Sequence, residues 1–163
     1  MEVLRLRVND IDFDYKCVRI WNGKGGKNRV VTLAIELIPQ LRTQIKLVNN
    51  FLQLDLKNPL FNGVFMPHLL RKKYPNHNKQ LGWQYLFSSN KLSIDPQSKQ
   101  LRRHHIDEKQ LQRAVKKAAF DAQIDKHVTP HSLRHSFATR LLQQGAKIQL
   151  ELKTSLGWAS IKD

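Results

Sequence analysis

The chain has 163 residues, 40 % of them apolar and 25 % charged, and 28 Lys and Arg stand against 13 Asp and Glu for a formal charge of +15. That length suits one domain, and that composition fits a folded chain rather than a disordered one. Apolar runs are too short for a membrane span, Met1-Glu2 and the charged segment after it are unlike a secretory signal, and one cysteine, Cys17, excludes an internal disulfide framework and suits a reducing cytoplasm.

In chain order, Glu2 to Arg7 reads as the last turns of a helix that shows no N-cap, so apolar surface near Leu4 and Leu6 is expected to be bare. Ile11, Phe13, Val18 and Ile20 fall in two short alternating runs, and Val30, Val31 and Leu33 make a third. Between the second and third lies Trp21-Asn22-Gly23-Lys24-Gly25-Gly26-Lys27-Asn28-Arg29, a turn signal between β-prone flanks that puts Lys24 at or near a hairpin tip. Leu37, Leu41, Ile45, Val48 and Leu52 recur at helical spacing from Ile35 to about Asp55, with Pro39 in the first turn.

From Lys57 to Gln100, prolines, Asn and Ser interrupt every period, yet Phe61, Phe65, Tyr74, Trp83, Tyr85 and Phe87 are present. So many aromatics predict a long insertion packed on the domain rather than a linker. Asp107 caps an amphipathic helix with Leu111, Ala114, Val115, Ala118 and Ala119 on one face. A second helix runs from Thr129-Pro130 to about Gln144 and stops at Gly145, and a short one comes after it from about Lys147 to Ser155. No internal repeat is present. The expected fold class is mainly α with a small antiparallel sheet, α+β.

The charge is uneven. Lys16 to Arg29 holds five basic residues and no acid, Leu69 to Lys79 four and none, Lys99 to Lys117 a local +5, and Lys126 to Leu150 four and none. Separate basic segments that converge in a fold make a groove for a polyanion, most often nucleic acid.

Thr129-Pro130-His131-Ser132-Leu133-Arg134-His135-Ser136-Phe137-Ala138-Thr139 is the segment richest in chemistry. His131 and Arg134, three apart, share a helix face near its positive end, where a forked guanidinium and a proton-exchanging imidazole suit a phosphate. His131 and His135 have the i, i+4 spacing of a zinc helix. Ser132, however, stands where a zinc protease needs Glu, and acidic third ligands are missing nearby, so no catalytic metal is expected.

"TPHSLRHSFATRLLQQGA" resembles the His-x-x-Arg box of tyrosine recombinases, the phage-integrase family. "MEVLRLRVNDIDFD" looks like the end of that family's first catalytic box, and "GKGGKNR" looks like its β-hairpin lysine motif. "LRKKYPNHNKQLGWQYLFSS" followed by "RRHHIDEKQLQRAVKKA" resembles the extra segment of integron integrases, here at about residues 57–106. The resemblance implies one partial catalytic domain over residues 1–163, DNA as partner, a possible homo-oligomer on DNA, a cytoplasmic and nucleoid-associated setting, and no metal or nucleotide cofactor. It makes His131 and Arg134 the box-two pair that stabilises the phosphorane, and Lys24 the lysine that protonates the leaving 5′ oxygen, with Lys27 a rival.

Trp158, after Leu156-Gly157, falls near the family's third histidine or tryptophan, although core packing fits it equally. Trp83, His104 and His105 fall where integron integrases recognise bases extruded from a folded single-stranded site, and Arg102 and Arg103 suit phosphate contacts; a core anchor is the other reading of Trp83. The family's first arginine would stand before Met1-Glu2 and its nucleophilic tyrosine beyond the Trp158 region, whereas the tyrosines here are Tyr15, Tyr74 and Tyr85. The expectation is therefore a fragment, truncated at both ends, that binds DNA and is inactive alone. The alternatives are a basic DNA-holding module without chemistry and, disfavoured by the His-x-x-Arg box, a ribosomal-type RNA-binding protein.

Overall fold

The computed structural model describes residues 2–143, apart from the side chains of residues 24 and 141. The chain divides into two compact units, each assembled from separated stretches: Met1–Val18 with Leu33–Asp107, and Arg19–Thr32 with Glu108–Asp163.

In the first unit, Glu2–Arg5 is a single 3-10 turn rather than the end of a helix. Leu4 is 2 % exposed, which overturns the expectation of bare apolar surface there. The strand-like backbone next in the chain explains the burial: Leu6 O accepts from Leu86 N at 2.8 Å, Gln84 O accepts from Val8 N at 3.1 Å, and Arg7 bridges antiparallel to Tyr85. Strand β1 (Ile11–Asp12) pairs antiparallel with the start of β2 (Cys17–Ile20), Ile11 opposite Val18. Both of those apolar residues are buried.

Helix α1 (Ile38–Leu56) comes after a 3-10 turn at Ile35–Leu37 and carries Pro39 in its first turn, where no intrahelical donor is lost. Its buried positions are Val48, Leu52 and Asp55, one stripe at helical spacing. Gln44 Nε2 donates to Leu86 O at 2.9 Å, and the Arg42 guanidinium lies 4.6 Å from the Phe13 ring centroid.

Residues 57–106 do not form a layer added to a finished domain. Phe61, Val64, Met66, Tyr85 and Leu86 are buried and supply much of the first unit's core. The segment contains the short helix α2 (His68–Lys73) and a hairpin of β4 (Ser88–Ile94) and β5 (Leu101–His105), antiparallel with Leu92 opposite Arg103 and an irregularity between Ser88 and Leu92. Asp95 closes the turn. Its carboxylate accepts from Ser98 Oγ at 2.5 Å and from Ser98 N, while its own N–H donates to Gln100 O at 2.9 Å.

In the second unit, β2 leads through the turn Lys24–Gly26 to β3 (Arg29–Thr32), and β2 is the middle strand of the order β1-β2-β3. Helix α3 (Glu108–Asp121) begins directly after Asp107 and ends with Ile124 N donating to Ala119 O. Of its expected apolar face, Ala119 is buried and Leu111 and Val115 are half-buried, while Ala114 and Ala118 are exposed. Helix α4 (Pro130–Gln143) matches the sequence expectation; the helix expected at Lys147 to Ser155 lies outside the described residues.

Candidate functional site

The Lys24 turn is built by its neighbours. Gly23 N donates to Lys27 O at 2.9 Å, Gly26 N donates to Gly23 O at 2.9 Å, and Asn28 Oδ1 accepts from Asn22 N at 2.9 Å. Gly25 and Gly26 take φ of +75° and +72°, a region glycine enters without a Cβ penalty. The backbone of Lys24 thus sits at a tight reversal between β2 and β3.

The His-x-x-Arg segment opens α4. Thr129 and Ser132 cap each other: Thr129 N donates to Ser132 Oγ at 2.8 Å, and Ser132 N donates to Thr129 Oγ1 at 3.1 Å. Pro130 then occupies the first helical position, which places His131 second and Arg134 one turn on, both exposed. The Ser132 amide is taken by Thr129 Oγ1 and the Leu133 amide by Thr129 O at 3.0 Å. Those two amides are therefore not free to meet an anion at this end of the helix. The ring of His131 lies edge-to-face against His135, with centroids 4.9 Å apart. Along the same helix an open groove of about 600 Å³ is lined by His135, Ser136, Thr139, Arg140 and Gln143.

In the first unit, the residues expected to read bases and phosphates separate into two kinds. Trp83 is half-buried and clusters with Tyr74 at 5.7 Å and His77 at 6.4 Å. His105 stands edge-on to Tyr85 at 5.2 Å, and its Nδ1–H donates to Ile106 O at 2.7 Å. His104 is half-buried, with Nε2 enclosed and without a hydrogen-bond partner among the described residues. Burial pulls its pKa below the ordinary imidazole value, and Asp95 opposes that shift.

Arg102 and Arg103, expected at phosphates, are buried with their guanidinium donors turned to protein acceptors. Arg103 is buried and grips Asp55 with two bonds, Nε to Oδ2 at 2.5 Å and Nη2 to Oδ1 at 2.6 Å; Nη1 donates to Ser89 O, and the guanidinium stacks 4.7 Å from the Phe51 centroid. Arg102, 4 % exposed, donates to Asn62 O at 2.8 Å, Val64 O at 3.0 Å and Gln100 Oε1, with Asp95 at 3.7 Å. Both forks are filled by protein acceptors, because a guanidinium out of water must have its donors met. The two arginines lock β5 to α1 and to the 62–64 loop.

Sequence reasoning missed Arg7. Its guanidinium lies 4.6 Å from the Tyr85 centroid and 5.9 Å from that of Trp83, and it donates to Trp83 O at 2.5 Å and Phe65 O at 2.7 Å. Burial lowers its pKa from the ordinary value, opposed by Tyr85 and Asp10. Trp83, Arg7, Tyr85 and His105 thereby form one row of contacts, the Arg7 guanidinium over two rings and His105 edge-on to the second. The signal for it in the sequence is only the alternation of Leu4-Arg5-Leu6-Arg7, which sets Arg7 on the face opposite Leu6. Trp158 lies outside the described residues.

Among the described residues, no helix is long and apolar enough to cross a membrane, and no group of three His, Cys, Asp or Glu is placed to hold a metal ion. Sequence comparison matches residues 1–163 to the pattern of the Phage integrase family. An integrase/recombinase of Escherichia coli is 40 % identical over 148 residues, 91 % of this chain and 44 % of that protein, and one of Pseudomonas aeruginosa matches to the same extent. Tyrosine recombinase XerD of Staphylococcus epidermidis (strain ATCC 35984) is 32 % identical over 91 % of this chain and 38 % of its own. A crystal structure of XerA recombinase superposes with a TM-score of 0.64 at 27 % identity, covering 98 % of this chain and 43 % of that one. The chain spans less than half the length of these relatives.

Proposed function

Because the chain belongs to the phage integrase family, the tyrosine recombinases, we propose that it is the part of an integron-type recombinase catalytic domain that holds and polarises a DNA phosphodiester. The carrying observation is that Arg19–Thr32 and Glu108–Asp163 make one compact unit, so the Lys24 turn and the first turns of α4 belong to the same body. In this reading His131 and Arg134 donate to the non-bridging oxygens, where charge develops as the phosphorus becomes five-coordinate. Lys24, an ammonium on a flexible stem at a turn, protonates the departing 5′ oxygen. Trp158 donates its indole N–H to the same phosphate.

The integron assignment adds a base-reading role for residues 57–106. Trp83, together with His104 and His105 of β5, receives a base extruded from a folded single strand, and Arg102 and Arg103 hold the β5 framework that carries the two histidines. Strand cleavage also needs a nucleophile. The tyrosines of this stretch are Tyr15, which is exposed, Tyr74, which stacks with Trp83, and Tyr85, which is 8 % exposed. None of the three takes the nucleophile's role in this reading, so the 163 residues alone are expected to bind DNA without forming a phosphotyrosine.

Fluorescence anisotropy at matched salt tests this with a folded single-stranded hairpin bearing extrahelical bases against plain duplex. Tighter hairpin binding, lost in Trp83→Ala at a temperature where circular dichroism shows the variant folded, is the expected result. Equal affinity for the two DNAs removes the integron assignment. A nicked suicide substrate is expected to trap no covalent adduct; an adduct overturns the binding-only reading of these 163 residues.

A further inference from the structure

The phosphodiester reading uses His131 and leaves His135 without a role, although the two imidazoles are exposed one helical turn apart on α4 with centroids 4.9 Å apart and planes at 77°. We propose that His131 and His135 form a two-histidine site for a divalent late-transition cation of the Zn2+ kind, and that an ion held there withdraws His131 from the phosphodiester. The second half rests on the function proposed above; the first does not.

The ring separation carries the argument. An imidazole nitrogen binds Zn2+ at about 2.0–2.1 Å, which puts the metal roughly 3.2 Å from the ring centroid. Two such rings on one ion, at a ligand angle between octahedral and tetrahedral, have centroids about 4.6–5.3 Å apart. The observed 4.9 Å falls inside that window before any metal is added. The i, i+4 spacing is the one by which helices present two histidines to zinc.

Without a group of three His, Cys, Asp or Glu among the described residues, the remaining coordination positions go to water, so the site is open and reversible rather than structural. Imidazole favours Zn2+, Cu2+ and Ni2+, whereas Mg2+ and Ca2+ want oxygen, so the site discriminates between the two groups. Arg134 and Arg140 lie on the same helix and oppose a dication. At an exposed site that opposition is screened over about 8 Å at physiological ionic strength, and the two coordination bonds must carry the affinity.

Isothermal titration of the 163-residue chain with ZnCl2 in a non-coordinating buffer tests the site directly, beside H131A, H135A and, as control, His68→Ala on the exposed start of α2. Loss of even an outer-shell partner of a metal ligand costs about 10–100-fold, so H131A and H135A should each bind at least about tenfold more weakly while the control is unchanged. MgCl2 should give no binding isotherm. Zn2+ should also raise the melting temperature of the parent chain and not that of either variant. Wild-type zinc affinity in both H131A and H135A overturns the chelate and leaves the phosphodiester reading untouched. For the consequence, saturating Zn2+ should weaken hairpin binding by the parent chain and leave H135A, which keeps His131, unaffected. If Zn2+ binds and DNA binding does not move, the chelate stands and the placing of His131 at the phosphodiester falls.

Discussion

A guanidinium enters an interior only with its donors met, and Arg103 makes the cost of removing one acceptor measurable. The Arg103–Asp55 pair is two-pronged, with side chains 7 % and 4 % exposed. Breaking such a pair leaves one buried charge uncompensated, at about 3–5 kcal/mol, whereas replacing both partners by apolar groups of similar volume is far milder. Urea unfolding should therefore show Asp55→Leu and Arg103→Met each losing about that amount, and the double variant losing less than the sum of the two. Additive losses would mean that the pair does not act as a unit.

His104 gives the second residue-scale outcome. Burial holds its pKa below the ordinary imidazole value, so the unfolded chain takes up the proton first as pH falls. The stability contributed by the neutral ring is present above the unfolded pKa, about 6.5, and is lost as pH falls through the folded one. Asp95 acts in the same sense. The Ser98 hydroxyl lowers its pKa against the opposing pull of burial, so its contribution is kept above the ordinary carboxylate pKa and lost in stronger acid. Melting temperature measured between neutral pH and about pH 5 should fall less in His104→Gln than in the parent chain, because the variant has no imidazole to charge. None of this is legible from Arg102-Arg103-His104-His105 as written. The partner of Arg103 is 48 residues away, and a basic tetrad reads as surface until that partner is found.

At the scale of elements, α1, α3 and α4 are legible because each carries a local signature: Pro39 and a heptad-like stripe in α1, Asp107 ahead of α3, and Thr129-Pro130 opening α4; the six-residue α2, inside the Pro- and Asn-rich stretch, carries none. The β4–β5 hairpin carries none either. Its strands are Ser-Ser-Asn-Lys-Leu-Ser-Ile and Leu-Arg-Arg-His-His, their burial does not alternate cleanly, and the buried positions of β5 are arginines. Long-range pairing and ionic burial override strand propensity there. Two glycines separate backbone freedom from close approach. Gly25 at φ +75° has open space where a Cβ would be, so Gly25→Ala should cost only the left-handed penalty, about 1–2 kcal/mol. Gly63 at φ +69° would put its Cβ 2.6 Å from Asn78 O, an acceptor already bonded to Val64 N and to Gln84 Nε2. Denaturant unfolding of Gly63→Ala should show a clearly larger loss than Gly25→Ala; equal losses would mean that the 62–64 loop moves aside freely.

At the scale of the whole molecule, formal charge and usable charge differ. The +15 total counts Arg7, Arg102 and Arg103, which are engaged with protein acceptors, so the local +5 from Lys99 to Lys117 overstates what that stretch offers to a polyanion. Sequence position cannot reveal this, since Asp55 and Asp95 neutralise from outside the stretch. The exposed excess that remains includes Arg71, Lys72 and Lys73 at the end of α2, and Lys109, Arg113 and Lys116 along α3, whereas Lys117 is paired with Asp121 at 3.0 Å.

Counterion release turns that distinction into a measurement. Each phosphate neutralised on duplex DNA adds about 0.9 to the slope of log affinity against log salt, and each on a single strand about 0.7. Anisotropy titrations over a range of NaCl should show Arg134→Ala and Lys72→Ala each lowering the slope by close to one phosphate's worth. Arg102→Met should weaken the fold while leaving the slope of the folded protein unchanged, because its guanidinium already has Asn62 O, Val64 O and Gln100 Oε1 as partners. A slope that falls in Arg102→Met as much as in Arg134→Ala would place that buried fork at the DNA and overturn the division between framework and contact arginines.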